Sequence, residues 1–355
     1  MTIRDELKAA LVQLDQNPYS LEYSFEKLAL EVFRFQFAQN PVYNTYVKFL
    51  YKDIKKIDRL EKIPFLPIEF FKNHQVISRE VEPQIVFESS GTTSANTSRH
   101  FVSDLPFYEL MSRNTFETFY GPLTDYHVFA LLPSYLERNN SSLVYMVQNF
   151  IFHSFSQFGG FYLDNLDEMI QNMTEAAKDG RKILLVGVTF GLLDLAENEV
   201  FAEKIRAISD KIIIMETGGM KGRRKEMVRE ELHAVLTTAF GVKNIHSEYG
   251  MTELLSQGYS KGEGVFYLPK TMKILLREIN DPFTYLPRFA LGEPDQDVKY
   301  RGRTGGINVV DLVNIDSCSF IETKDLGSFT PDYEGFKVMG RFDNSDIRGC
   351  NLMLN

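Results

Sequence analysis

Apolar residues in the first part of the chain recur at helical spacing. Leu7, Leu11 and Leu14 mark one face of a helix, and Asn17-Pro18 breaks the pattern. Ser24 stands at an N-cap position and predicts a helix through Leu28, Leu30, Val32, Phe33 and Phe37, ending near Asn40-Pro41. A further helix is expected through Tyr46, Phe49 and Leu50. Ile63 to Lys72 is apolar but carries Pro64 and Pro67, which predicts an extended, buried connector whose aromatics pack in a core.

The rhythm then changes to compact apolar runs. Gln84 to Phe87, Tyr126 to Pro133, Lys182 to Val188, Lys211 to Gly219 and Asn244 to Gly250 read as strands. Helical patterns separate them over 104–119, 141–152, 163–177, from about 191, and over 224–239. In the first of these, Leu105, Tyr108, Leu110 and Met111 are expected to face inward. Alternating strands and helices predict an α/β fold with a mostly parallel sheet flanked by helices. Beyond 262 the runs shorten to Val265–Leu268, Lys273–Arg277, Gly306–Asp311 and Ser319–Thr323, which predicts a β-rich subdomain. The expected organisation is therefore 1–80, a helical region with a Pro-rich connector; 81–261, an α/β core; 262–340, the β-rich subdomain; and 341–355, a tail. There is no internal repeat and no low-complexity linker.

At 355 residues the chain can bury a large core, and 44% hydrophobic with 25% charged residues is an ordinary globular balance. A net charge of −9 gives no support to nucleic acid or anionic membrane as a partner. No apolar run approaches the roughly 20 residues that span a bilayer. The N-terminus lacks a secretory apolar stretch, and Cys318 and Cys350 are too few for a disulfide framework, so a cytoplasmic setting is expected.

In open α/β sheets, ligands lie beyond the carboxyl ends of the strands. Three polar turns follow the runs above: Ser89 to Ser94, Glu216 to Gly219 and Ser247 to Glu253. Phe87-Glu88-Ser89-Ser90-Gly91-Thr92-Thr93-Ser94 is either a phosphate cradle or an ordinary polar loop. Gly admits close backbone approach, and backbone N–H groups and hydroxyls donate to phosphate oxygens. Glu248-Tyr249-Gly250-Met251-Thr252-Glu253 offers a ring, a hydroxyl and carboxylates around a glycine. Thr323-Lys324-Asp325-Leu326-Gly327 follows a predicted strand, and Gly340-Arg341-Phe342-Asp343 lies near the end. Taken singly, Tyr249 reads equally as packing, Asp325 as a turn residue and Arg341 as a surface charge.

Together and in this order, these motifs resemble the adenylate-forming superfamily of acyl-CoA synthetases, phenylacetate-CoA ligases and luciferases, over roughly residues 63–350. The chain is most similar to the acyl-protein synthetases of the bacterial luciferase fatty-acid reductase complex. It shares their short length, their aromatic Pro-rich segment at Ile63 to Phe71 and their ending after Arg348-Gly349-Cys350. There are departures. Ser94 stands where the family's loop has Gly, no Lys follows it, and Lys324 replaces the Gly of the Thr-Gly-Asp motif. The sequence ends 12 residues past Asp343, so the family's C-terminal lid, with its catalytic Lys, is expected to be absent.

The resemblance implies the large N-terminal domain of an adenylate-forming enzyme, with 81–261 as its nucleotide-binding core. It implies ATP and Mg²⁺ as cofactors and a carboxylic acid, fatty acids foremost, as the substrate activated to an acyl-adenylate. Ser89, Ser90, Gly91, Thr92 and Thr93 would cradle the phosphates, Thr252 would reach the α-phosphate, and Glu253 would hold Mg²⁺. Tyr249 would stack on adenine, with Glu216 and Gly218 lining the other side; Asp325 would accept the ribose hydroxyls, helped by Arg341. Cys350 would take the acyl group as a thioester, its thiolate favoured by Arg348. The group would then pass to an acceptor protein such as a reductase or carrier protein, and a homo-oligomer or a complex with the reductase follows from family habit. Read from the residues alone, Cys350 is also compatible with a small buried hydrophobe, Cys318 is structural, and His246 packs. Two other readings stand beside this one. One is a phenylacetate-CoA-ligase-like enzyme loading an external thiol, and the other is a non-catalytic relative that binds nucleotide or acyl ligands.

Overall fold

The computed structural model describes residues 2–16, 24–79, 81–89, 97–133, 140–218, 227–286 and 302–341. The chain divides into two compact units, Val81–Pro269 and a second made of Met1–Glu80 with Lys270–Asn355.

Helix α1 (Ile3–Gln16) buries Leu7, Leu11 and Leu14 as its spacing predicts. Ser24 caps α2 (Phe25–Gln39), its Oγ accepting the Lys27 N–H at 3.3 Å. Asn40 ends α2 and begins α3 (Pro41–Leu50), accepting the Tyr43 N–H at 3.0 Å, with Pro41 in the first turn where its missing donor costs nothing. The buried face of α3 is Tyr43 and Val47, and Phe49 is exposed rather than inward. The Pro-rich connector holds a two-residue strand, β1 (Leu66–Pro67), and a short helix, α4 (Phe70–Asn73).

The middle unit begins with a correction. Strand β2 (Ile85–Glu88) does not join the parallel sheet; it pairs antiparallel with β3 (Arg99–Val102) in a ribbon of its own. Helix α5 (Leu105–Tyr120) buries Phe107, Tyr108, Met111 and Phe116, and leaves Leu105 and Leu110 half-buried, contrary to expectation. The sheet proper then builds from β4 (Tyr126–Leu131), after which come α6 (Ser142–Ser154), β5 (Gly160–Phe161), α7 (Leu166–Ala176) and β6 (Lys182–Val188). Asn165 starts α7 later than the apolar pattern suggests, by accepting the Glu168 N–H. Next are α8 (Thr189–Glu197), α9 (Glu199–Arg206), β7 (Ile212–Thr217), α10 (Arg229–Phe240), β8 (His246–Tyr249), β9 (Gly258–Ser260) and β10 (Val265–Phe266). Residues 224–226, where α10 was expected to begin, lie outside the described residues, and its first helical position is Arg229.

The sheet order is β5-β4-β6-β7-β8-β9, parallel throughout except for antiparallel β9. Its central strands are buried on both faces, as continuous apolar runs require. Phe129, Leu185 and Ile214 share one core cluster with residues of α7, α8, α9 and α10. On α5 and α6, Phe116 packs against Phe150 at 5.0 Å and against Tyr126 of β4 at 5.8 Å.

The other unit closes with β11 (Met272–Arg277), β12 (Gly305–Asp311), β13 (Phe320–Phe329) and β14 (Phe336–Arg341), antiparallel in that order, with β1 joining β13 in parallel. Strand β13 runs well past Thr323, so the Thr323-Lys324-Asp325 motif lies inside a strand and not after one. Residues 1–80 and the strands after 270 form one unit where the sequence suggested two. Gln36 on α2 explains why: its Nε2 donates to the Asn314 and Ile315 carbonyls at 2.9 Å, and its Oε1 accepts the Ser319 N–H at 3.0 Å. Asp316 accepts from Arg4 Nε at 2.6 Å and from Lys8 Nζ at 2.7 Å.

Burial alone would raise the Asp316 carboxyl, but Arg4 and Lys8 more than offset it and hold it below the usual carboxylate range. A depressed carboxyl contributes stability above its unfolded-state value, near pH 4, and that contribution is lost as pH falls through the folded-state value. Asp316→Ala removes the carboxylate both cations share, at a cost of about 3–5 kcal/mol. Urea unfolding at pH 7 is expected to show a loss of that order, shrinking as pH falls below about 4.

Candidate functional site

Strands β6, β7 and β8 run parallel and end together, so their carboxyl ends form one edge. Glu216 of β7 stands opposite Ser247 of β8, and Thr217 stands opposite Glu248. Thr217 Oγ1 donates to Glu248 Oε2 at 2.7 Å. Gly218 then turns the chain at φ +73°, a conformation that side chains other than glycine resist, and its carbonyl accepts from Thr189 Oγ1 at 2.7 Å.

The two carboxylates at this edge differ. Glu216 is buried, at 4% exposure. Its Oε1 accepts from Arg229 Nε at 3.2 Å and faces His233 Nε2 at 3.6 Å, both from α10. Burial opposes its charge, but the hydrogen bonds from His233 and Ser247 and the Arg229 cation hold the carboxyl below its ordinary value. Glu248 is partly exposed, yet burial, together with the negative charge of Glu216, pushes its carboxyl up to about 7 against the pull of the Thr217 hydroxyl. One acid is thus held ionised and its neighbour holds a proton near neutrality.

The turn after β8 depends on that second carboxylate. A Cβ at position 250 would lie 2.2 Å from Glu248 Oε1, so Gly250 leaves room for the Glu248 side chain to fold over it. Tyr249 is buried at 7% exposure, with its ring centroid 5.8 Å from that of Phe266. Arg229 lies 5.1 Å over the other end of this chain of contacts, on the Phe266 ring. Thr252 is half-buried and Glu253 is buried.

The β2–β3 ribbon is tied to this turn. His100, fully buried on β3, donates from Nδ1 to the Thr252 carbonyl at 2.8 Å. The base of the hydroxyl-rich loop is closed by Ser89, whose N–H donates to the Ser98 carbonyl at 3.0 Å while its Oγ accepts the Ser98 N–H at 2.9 Å. Glu88 is fixed by Asn140, which accepts the Glu88 N–H at 2.8 Å and donates to Oε2 at 2.6 Å.

Of the expected site residues, Ser89, Glu216, Gly218, Tyr249, Thr252 and Glu253 therefore belong to the middle unit. Glu216 is held by protein partners within it, and Tyr249 packs on Phe266. Asp325 and Arg341 belong to the other unit, as register partners on β13 and β14, with Arg341 Nε donating to Asp325 Oδ1 at 3.0 Å. Asp325 is buried and Arg341 exposed. Ser90, Gly91, Thr92, Thr93, Arg348 and Cys350 lie outside the described residues. Cys318 is buried, as expected, and burial pushes its thiol up to about 12, which makes it inert. Burial pulls His246 down to about 4, and its Nδ1 meets the Tyr120 hydroxyl at 3.1 Å, consistent with a packing role.

Among the described residues, no group of three or more His, Cys, Asp or Glu side chains is arranged to hold a metal ion. Mg²⁺ asks for less: one or two carboxylates, with water and phosphate oxygens completing the shell. Glu253 is a donor of that kind. Among the described residues, no helix is long and apolar enough to cross a membrane.

Sequence reading missed His100, Thr189, Arg229 and His233, and placed Thr217 in a candidate turn without its bond to Glu248. The signal for His100 was present in the alternation of Arg99-His100-Phe101-Val102, which buries His100 and Val102 and marks a return strand after the polar loop.

No protein-family model matches the chain, and no curated protein matches it. It is similar to the solved structure of an anthranilate CoA ligase in complex with anthranoyl-AMP, at 14% identity over 72% of this chain and 46% of that one, with a TM-score of 0.46. It is similar to an amide bond synthetase from Marinactinospora thermotolerans, at 14% identity over 72% and 48% of the two chains, TM-score 0.46. It is similar to McyG A-PCP complexed with phenylalanyl-adenylate, at 12% identity over 79% and 49%, TM-score 0.49. The chain spans about half the length of these proteins.

A carboxyl whose folded-state value is raised destabilises the fold as it ionises. Glu248 should therefore lower stability progressively as pH rises from about 4.3, its unfolded value, through about 7. Glu248→Gln is expected to gain stability over the parent at pH 8 and not at pH 5, as measured by urea unfolding at the two values.

Proposed function

We propose that the protein activates a carboxylic acid with ATP to an acyl-adenylate and then transfers the acyl group to a thiol. One contact carries this assignment. The His100 bond to the Thr252 carbonyl, 2.8 Å long, seats the stem of the Ser/Thr-rich loop beside the Tyr249–Glu253 turn, and these are the two motifs whose chemistry, phosphate binding and α-phosphate contact, must act on one nucleotide. Supporting it, Thr189, Thr217 and Gly218 bring further polar groups to the same edge of the sheet.

In the proposed reaction a carboxylate oxygen attacks the α-phosphorus of ATP, and the bond to the bridging oxygen breaks to release pyrophosphate. Positioning and charge neutralisation are the protein's share. Thr252 donates to the α-phosphate, and the loop of Ser89, Ser90, Gly91, Thr92 and Thr93 donates to the phosphates. Glu253 would hold Mg²⁺, whose charge would offset that of the phosphates. Asp325, oriented by Arg341, accepts the ribose hydroxyls, and Tyr249 with Glu216 and Gly218 flanks the base. The Cys350 thiolate, favoured by Arg348, then attacks the acyl carbonyl; a thioester forms and AMP leaves. A fatty acid as substrate and a reductase or carrier protein as the onward acceptor complete the proposal.

ATP–pyrophosphate exchange with Mg²⁺, run across a panel of carboxylic acids that includes long fatty acids, tests the first half. Exchange with at least one acid is expected. His100→Phe, which keeps bulk but loses the donor, is expected to lower the rate about a hundredfold with an unchanged circular dichroism spectrum. Absence of both exchange and ATP binding would overturn the proposal in favour of a non-catalytic relative.

Labelling with radioactive acid tests the second half. Hydroxylamine-labile label on the protein is expected, lost in Cys350→Ser while exchange persists. Label that survives the substitution would move the acceptor to another thiol.

A further inference from the structure

A second group of polar side chains stands at the opposite edge of the parallel sheet, where β4 and β6 begin. His127 is the second residue of β4 and the register partner of Ile183, near the start of β6. Its imidazole is buried. Nδ1 meets Ser156 Oγ, in the turn after α6, at 2.7 Å, and Nε2 meets Asp179 Oδ1, in the turn after α7, at 2.9 Å. A hydroxyl, an imidazole and a carboxylate are thus joined in series. Nothing in the proposed acyl-activating chemistry uses these residues.

The proton positions follow from the partners. A carboxylate only accepts, so Nε2 carries the ring proton and Nδ1 offers its lone pair to the Ser156 hydroxyl. Asp179 also accepts the Arg181 N–H at 3.0 Å. Slight burial opposes its charge, but the bonds from His127 and Arg181 outweigh it and hold the carboxyl below its ordinary value. Acyl transfer to a serine depends on this relation of nucleophile, base and orienting acid.

The turn suits that role. Phe155 ends α6 in the left-handed conformation, at φ 49°, where glycine is usual. Ser156 follows it, half-buried, with its N–H donating to Ser154 Oγ at 3.2 Å and its Oγ accepting the Phe158 N–H at 3.1 Å. One lone pair of Oγ is left for attack. Among the described residues the Gln157 N–H has no acceptor, and the N–H that follows a nucleophile is a usual donor to the oxyanion of a tetrahedral intermediate. Phe152 and Phe155 are exposed around the same helix end, with ring centroids 6.4 Å apart, so apolar surface lies close in the chain to the hydroxyl.

We propose that Ser156, His127 and Asp179 form a second reactive site, which hydrolyses esters of apolar carboxylic acids. Ser156 Oγ bonds to the ester carbonyl carbon while its proton passes to His127 Nδ1. The carbon–oxygen bond to the alcohol then breaks, and the alcohol leaves with that proton. Water attacks the acyl-serine, gives a proton to the same nitrogen, and frees the acid; the imidazolium returns the proton to Oγ. Asp179 is a positioning residue, which keeps the ring in the tautomer that accepts from Ser156.

Treatment of the full chain with a fluorophosphonate probe, followed by peptide mapping, tests the nucleophile, and label on Ser156 is expected. Hydrolysis of p-nitrophenyl butyrate is expected to be lost in Ser156→Ala with an unchanged circular dichroism spectrum. Asp179→Asn, at an exposed position, is expected to lower kcat about a hundredfold and to leave KM unchanged. Absence of label from Ser156 in the parent would overturn the proposal. So would butyrate-ester hydrolysis that survives Ser156→Ala, or a kcat unchanged in Asp179→Asn.

Discussion

A charged carboxylate taken out of water must be given partners, and Glu216 at the end of β7 is that constraint in this protein. At 4% exposure it stays ionised only because Arg229 and His233 come to it from α10 and Ser247 from β8. The helix is thereby locked to the carboxyl edge of the sheet. Arg229 extends the lock outward, lying on Phe266, which in turn packs Tyr249. The same fixed charge adds to what burial does to its neighbour. Glu248 would have to ionise beside Glu216 in a crowded site with only the Thr217 hydroxyl to help, so it holds its proton up to about pH 7. Two glutamates one strand apart acquire opposite characters from environment alone, the arrangement by which folds separate acidic from basic roles.

The other unit depends on contacts that span nearly the whole sequence. Asp316 reaches Arg4 and Lys8, and Gln36 threads the backbone of 314–319. Each is a buried polar group satisfied by partners that hydrophobic periodicity cannot reveal. That is why residues 1–80 read as a separate helical region and belong instead with the strands after 270. Reading the strands was easier where burial was two-sided: β4, β6 and β7 are continuous apolar runs and were legible. Strand β14 was not, because Lys337, Gly340 and Arg341 give it a largely exposed pattern, and β13 looked short because Lys324 and Asp325 interrupt its apolar character. Asp325 is there as the register partner of Arg341, so the polar pair that hid the strand is what joins it to its neighbour.

Candidate site residues were legible to the extent that they form local motifs. The Tyr249–Glu253 segment and the hydroxyl-rich loop stand out in one dimension because Gly, Ser and Thr cluster there. Their supports do not. His100, Thr189, Arg229 and His233 act across strands or from a helix, and each is a single residue of ordinary type in an ordinary context. Glu248 falls between: it lies in the motif, but its raised carboxyl value comes chiefly from burial, with the charge of Glu216, 32 positions earlier, added by the pairing of β7 with β8.

The ribbon of β2 and β3 shows what its small size is for. A two-stranded ribbon is marginal on its own in water. This one is pinned at three points, by Ser89 to Ser98 across its own base, by Glu88 to Asn140, and by His100 to Thr252. The first two hold the stem's shape. The third joins it to the turn after β8 through a backbone carbonyl, which leaves the Thr252 hydroxyl out of the bond. A side-chain contact would have used the group that the proposed chemistry needs; a carbonyl contact sets the spacing between loop and turn and keeps the hydroxyl available. Positioning by backbone is thus the economical solution at this edge, and a buried histidine on a short return strand provides it.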